Sequence, residues 1–178
     1  MRDRIAVVDE ANRFLRWEER RAIHQQHLPH RSVHVLVFNE AGQLFLQRRH
    51  RDKQTFPRFW DNSVAGHVEE SDYPAGPDEH LDRVYREVAS RELQEELGVT
   101  ASLGELASFT PQPGLHYEHF RLYKARHEGP FALQAAEVEE GRWFEADAIL
   151  TMRTEGADPA TPLLLFLVAW LRERNLWG

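Results

Sequence analysis

Leu81, Tyr85, Ala89, Leu93 and Leu97 recur every four residues, and Gly98 follows the last of them. At 3.6 residues per turn this spacing lays one apolar stripe along a helix, and such a stripe has to be buried against another layer. A glycine just past the stripe supplies the left-handed residue on which helices commonly stop. Upstream, "SVHVLVFNEAGQLFLQRR" reads as two strands around a turn at Asn39 to Gly42, and "FWDNSVAGHV" reads as one more. "ESDYPAGPDE", with two prolines and a glycine, is a loop. "HYEHFRLYKAR" and "EEGRWFE" read as later strands, and Thr161 caps a final helix that Pro162 starts. Strands and helices mixed in this order predict an α/β or α+β layered fold.

The 178 residues, 42% of them apolar, suffice for one domain with a real core and give no sign of a linker or repeat. A net charge of −7 argues against a nucleic-acid polymer as partner, because polyanions require an excess of cations. An anionic substrate would need a metal ion or a local basic cluster. The absence of cysteine excludes disulfides, thiolate metal sites and a cysteine nucleophile, and suits a reducing compartment. The first residues, "MRDRIAVVDEANRF", carry charges where a signal peptide needs an apolar stretch. The longest apolar run, Pro162 to Leu171, is about half a membrane span. The expectation is a cytoplasmic protein with no membrane partner.

Beside the apolar stripe, "RELQEELG" crowds Glu92, Glu95 and Glu96 onto little more than one helical turn. Carboxylates three and four apart repel and raise one another's pKa unless a cation neutralises them. Arg91 reaches Glu95 at the i, i+4 spacing but balances one charge only. The cluster has two readings: a solvated helix face, or a site for a hard divalent ion such as Mg2+, which prefers carboxylate oxygens.

These residues resemble the Nudix hydrolase family, whose signature is G-x5-E-x7-R-E-U-x-E-E-x-G-U, with U aliphatic. Arg91, Glu92, Leu93, Glu95, Glu96, Gly98 and Val99 match its second half without a gap, and Gly66 with Asp72 stands in for its Gly and first Glu. The spacer from Tyr73 to Ser90 runs to 18 residues where the family has seven, so an insertion falls at about 73–83. The resemblance implies an α/β/α sandwich around a mixed β-sheet, in a single domain. It also implies Mg2+ or Mn2+ held by Glu92, Glu95, Glu96 and the Ala65 carbonyl, with Arg91 orienting a glutamate. The reaction implied is attack of water on a diphosphate linkage in a small organic or nucleoside diphosphate. One of these glutamates, or a carboxylate outside the motif, would be the base.

The chain also resembles the branch of this superfamily that contains isopentenyl diphosphate isomerase, through "LFLQRRHRDKQTFP" and "FWDNSVAGHV". That comparison implies a second site, for Zn2+ or Mn2+, at His27, His34, His67, His116 and Glu118. The other histidines, His24, His30, His50, His80, His119 and His127, read as surface or core residues. The isomerase uses a cysteine where this chain has Ala65, whose methyl group cannot exchange a proton, so hydrolysis is the better reading than isomerisation. The intact acidic cluster likewise disfavours a non-catalytic binding module. The basic run Arg48, Arg49, Arg51 and Lys53 reads as a solvated loop or as a phosphate site, and the resemblance to the isomerase branch implies that Arg49 and Lys53 hold the diphosphate. Phe56, Phe59 and Trp60 read as core, with stacking on a base or prenyl group as the alternative. Glu137, Glu139 and Glu140 read as a solvated acidic turn, or as a source of the general base. The oligomeric state is open.

Overall fold

A computed structural model describes residues 4–178. Its spine is β3 (His30–Phe38), in which every residue is buried. Along one edge β3 pairs in parallel with β8 (Glu118–Arg126) over its whole length. The other edge is shared end to end. β1 (Arg4–Val8) meets it at His30, β6 (Val64–His67) runs antiparallel along Ser32–Val35, and β4 (Leu44–Arg49) joins at Phe38. β2 (Phe14–Glu19) extends the sheet beyond β1, and β7 (Gly104–Phe109) extends it beyond β8. β5 (Trp60–Asp61) and β9 (Val138–Phe144) pair with β4.

The mixed sheet is covered on both faces because its strands alternate apolar residues to either side. Val33, Val35, Val37, Phe45, Val64 and Tyr123 pack under α2 (Leu81–Leu97), whose buried stripe is Val84, Tyr85, Val88, Ala89, Leu93 and Leu97. Leu36, Phe38, Leu44, Leu46, Phe120 and Leu122 pack under α4 (Pro162–Glu173), with α3 (Ala146–Leu150) beside it. Gly98 ends α2 at φ 71°, its N–H bonded to the Gln94 carbonyl, and the Thr161 side chain caps α4. A short helix, α1 (Arg20–Gln26), links β2 to β3. No helix among the described residues is long and apolar enough to cross a membrane.

The expected single strand over "FWDNSVAGHV" is two strands on different partners. β5 follows β4 and β6 follows β3, because β3 and β4 touch at Phe38 and Leu44 and then diverge. Ser63 closes the fork from inside: its hydroxyl donates to the Phe45 carbonyl (2.5 Å) and accepts from the Val37 N–H (2.8 Å). The gap between β6 and β4 is where polar groups can be placed without breaking the core.

Arg31 is fully buried on the α2 face of β3. Its guanidinium donates to the Asn12 side chain (2.8 Å), the Asn12 carbonyl (2.5 Å), the Tyr73 hydroxyl (3.2 Å), Asp78 (2.6 Å) and the Pro77 carbonyl. Asp78 also accepts from the Phe14 N–H. One cation thereby ties the β1–β2 turn and the loop that precedes α2 to the central strand. Arg31→Leu leaves those acceptors without their donor, so we expect a loss of about 3 kcal/mol, read as a lower denaturation midpoint.

Candidate active site and metal centre

α2 lies so close to β6 that a β-carbon built on Gly66 would stand 2.0 Å from Cδ of Glu92. Glycine at 66 therefore makes room for the Glu92 carboxylate against the strand. Arg91 binds that carboxylate at 2.9 Å, Glu95 at 3.2 Å and Asp72 at 3.1 Å, and its Nη2 also donates to the His67 carbonyl at 3.4 Å. It serves three carboxylates, more than the one that its spacing on the helix suggests. Glu96 reaches the fork in the sheet, where Gln47 of β4 donates to it at 2.7 Å.

Burial pushes the Glu92 carboxyl up to about 7 against the pull of Arg91. Burial likewise pushes Glu96 up to about 8, although the Gln47 amide and the Ala65 N–H favour its ionised form. In a strand, the N–H and C=O of one residue point to the same side. Ala65 thus turns its carbonyl, like its N–H, toward Glu96 at the open edge of β6. Two half-buried carboxylates that resist ionisation, a third exposed one and a backbone carbonyl make an oxygen donor set suited to Mg2+ or Mn2+.

On the opposite face of the sheet a second group converges. Ligand atoms of His24, His30 and His67 lie within 4.8 Å of one another. The Nδ1–H of His30 donates to the Leu28 carbonyl (2.8 Å), which leaves its Nε2 as a lone pair. That Nε2 and both ring nitrogens of His67 are buried without a hydrogen-bond partner. Glu118 stands 3.6 Å from His30 and 3.2 Å from His34, and accepts from the Ser32 hydroxyl at 3.0 Å. Burial alone would raise the Glu118 pKa, but the His34 N–H bonded to it at 3.2 Å and the adjacent imidazole of His30 hold it well below the usual carboxylate range. Burial drives His67 well below 6.5, into the neutral form that ligates metals. Unpartnered imidazole nitrogens around an ionised carboxylate fit Zn2+ or Mn2+.

The membership of this group differs from the expected one. His27 is exposed at the end of α1, at φ 53°, and stacks on Tyr117 with ring centres 4.6 Å apart. The chain turns there to enter β3, so the histidines that meet are His24, in the last turn of α1, and His30, the first residue of β3. The sequence pattern of neither marks it as more than a surface or core residue. His34 reaches Glu118 and also bonds Asn62 at 2.9 Å. His116 lies alongside: its Nδ1 accepts the Glu118 N–H at 3.4 Å and its Nε2 has no partner. Recognising α1 as a helix would have put Arg20 and His24 on one face, one turn apart.

The basic residues separate by their partners. Arg49 is bonded to Asp61 (3.0 Å) and to the Thr55 carbonyl (3.1 Å). Lys53 is half-buried and paired with Glu137. Burial and the charges of Arg49 and Arg20 lower the Lys53 pKa, while Glu96 and Asp61 oppose them. The charge of Arg20, exposed at the start of α1, also acts on Glu92, His24 and His67, a cation that sequence reasoning missed. Arg48 and Arg51 turn away, Arg48 to Glu140 (3.0 Å) and Arg51 to Glu139 (3.1 Å). Trp60 is core at 1% exposure, whereas Phe56 is 44% exposed.

Glu92 and Glu96 bind protons more tightly in the folded chain than at their ordinary value of 4.5. These two carboxyls therefore contribute stability that is lost as pH rises from about 5 to about 8, and below 6.5 the lowered pKa values of His24, His67, His116 and His119 oppose that loss. In EDTA we expect Tm to decline from pH 6.5 to about 8, saturating Mg2+ to flatten the decline, and Glu92→Gln with Glu96→Gln to remove most of it.

A NUDIX domain model matches residues 28–164. Among curated proteins, an uncharacterised Nudix hydrolase of Pseudomonas aeruginosa is 33% identical over 148 residues, 82% of this chain and 80% of its own. An isopentenyl-diphosphate Delta-isomerase of Serratia proteamaculans is 27% identical over 100% of this chain and 97% of its own. A crystal structure of a Deinococcus radiodurans protein superposes with a TM-score of 0.75 at 24% identity, covering 94% of this chain and 98% of the other.

Proposed function

The chain belongs to the NUDIX family, and from that premise we propose that it is a single-domain, metal-dependent hydrolase cleaving a diphosphate linkage in a small organic or nucleoside diphosphate. The observation that carries this reading is the placement of Glu92 and Glu96 in the fork of the sheet, where Gly66 admits the first and Gln47 steadies the second. Glu92, Glu95, Glu96 and the Ala65 carbonyl would hold Mg2+ or Mn2+. Such an ion neutralises phosphate oxygens and activates water. Arg91 fixes Glu92 and Glu95 in place by tying them to Asp72 on the preceding loop. Arg49, Lys53 and Arg20 supply positive charge for the substrate phosphates; an arginine can grip two oxygens at once, and the lysine adds a mobile charge.

The test is phosphate release from a panel of diphosphates with Mg2+. We expect turnover that EDTA abolishes and that Glu95→Gln and Glu96→Gln each reduce by about 100-fold or more. Undiminished cleavage in those variants, or in EDTA, would remove the proposal.

The histidine group favours a second ion, Zn2+ or Mn2+, held by His24, His30, His67 and Glu118. Metal analysis of protein purified without chelator should find an ion that His24→Ala with His67→Ala removes and that His27→Ala retains. The same group, with the similarity to the isomerase, raises isomerisation as a second reading. Ala65 counts against it, since a methyl group neither donates nor accepts a proton where that enzyme has a cysteine. Product identification in the same panel separates an isomer from a hydrolysed diphosphate.

A further inference from the structure

Hydrolysis requires a group to take the proton of the attacking water, and outside Glu92, Glu95 and Glu96, which are assigned to the metal, the carboxylates of this region mostly have several partners. Asp61 accepts from Arg49, from the Thr161 hydroxyl (2.9 Å) and from the Asn62 N–H (2.9 Å). Asp72 accepts from Arg91 and from the Glu69 N–H (2.8 Å), and Glu118 is enclosed by His30, His34 and Ser32. Glu139 is clamped by Arg51 and Arg58, and Glu140 by Arg48 and Arg142. Glu137 differs: its side chain is 41% exposed and its partner is the flexible Lys53.

The backbone fixes Glu137 beside the acidic centre. The Gln134 N–H bonds the carbonyl of Glu96 itself (3.3 Å), and the Ala132 N–H bonds that of Leu97 (2.9 Å), so this segment is fastened to the end of α2. A tight turn follows, with the Glu137 and Val138 N–H groups both bonded to the Gln134 carbonyl at 2.9 and 3.0 Å. Across the cleft, the His50 N–H bonds the Glu137 carbonyl (2.9 Å) and the Lys53 N–H bonds the His50 carbonyl (3.1 Å). Lys53 is paired with Glu137, and the charges of Glu96 and Asp61 also act on it.

We propose that Glu137 is the general base of the hydrolysis, held in reserve by Lys53 and released when Lys53 turns to a substrate phosphate. The inference rests on the hydrolase reading above. In the step, a water oxygen forms a bond to phosphorus, and the bridging P–O bond breaks with its electron pair leaving on the departing phosphate oxygen. The Glu137 carboxylate takes one water proton and later returns it to solvent. Sharing a lysine with the substrate keeps the base paired in the free enzyme and frees it only when a diphosphate is bound.

The experiment is steady-state kinetics with Mg2+ on the best diphosphate of the panel, comparing wild type, Glu137→Gln, Lys53→Ala and the double variant. We expect Glu137→Gln to lower kcat by about 100-fold or more, with KM and the Mg2+ requirement within about twofold of wild type. The acid limb of the wild-type kcat profile, where rate rises with pH, should vanish in Glu137→Gln. Lys53→Ala should mainly raise KM, and the two effects should combine in the double variant. The side chain of Glu137 is exposed, so an unchanged Tm separates lost chemistry from lost folding. If Glu137→Gln keeps its kcat, or raises KM as Lys53→Ala does, Glu137 serves only to hold the lysine and the inference falls while the hydrolase reading stands. If wild type cleaves no diphosphate, both fall together.

Discussion

One guanidinium links the two halves of the acidic motif. Arg91 binds Asp72 on the loop, Glu92 and Glu95 on the helix, and the His67 carbonyl on β6, at 2.9 to 3.4 Å. Desolvation and mutual repulsion otherwise work against three carboxylates on one turn, and the arginine offsets part of that cost before any ion arrives. Its position depends in turn on the close approach of α2 to β6, which the missing side chain of Gly66 permits. Helix, strand and loop are therefore brought into register by the same small set of contacts.

β6 has an unusual burden for four residues. Gly66 faces α2 and the carboxylates, while Ala65 and His67 project to the opposite face, where the histidines gather. Two candidate ion centres of different chemistry, one oxygen-rich and one nitrogen-rich, so share a strand through its period-two alternation. A register slip of one residue would exchange the faces and disable both. The fork between β3 and β4, closed by Ser63, opens the sheet at the level of this strand and admits Gln47 from β4.

Much of this was legible in the sequence where the signal was periodic. The stripe from Leu81 to Leu97 and its terminating Gly98 match α2 and its left-handed cap, and Thr161 with Pro162 marks the start of α4. The motif residues could be named, since spacing on a regular helix fixes which side chains are neighbours. Other features were not legible because they depend on tertiary choice. The β5–β6 break occurs where one extended segment changes partners, and no local residue pattern separates the two pieces. α1 spans only seven residues, too few for a hydrophobic period, and without it neither Arg20 nor His24 could be placed. The resemblance to the isomerase branch pointed to His27 with His34, but His27, at a left-handed backbone, is exposed, and His24 and His30 are the histidines that meet His67. The second role of Arg91, toward Asp72, needed the folded loop to be seen.

The buried anchor at Arg31 has a bearing on how this architecture can vary. The excursion from Tyr73 to His80 is fastened at Tyr73, Pro77 and Asp78 to a central strand. Length added or removed outside those fastenings changes the outline of the surface without transmitting a shift to the carboxylates, because the entry point of α2 is set by the sheet. The protein can in this way carry an enlarged rim around its cleft while the reacting geometry beneath stays where the short form of the motif would put it.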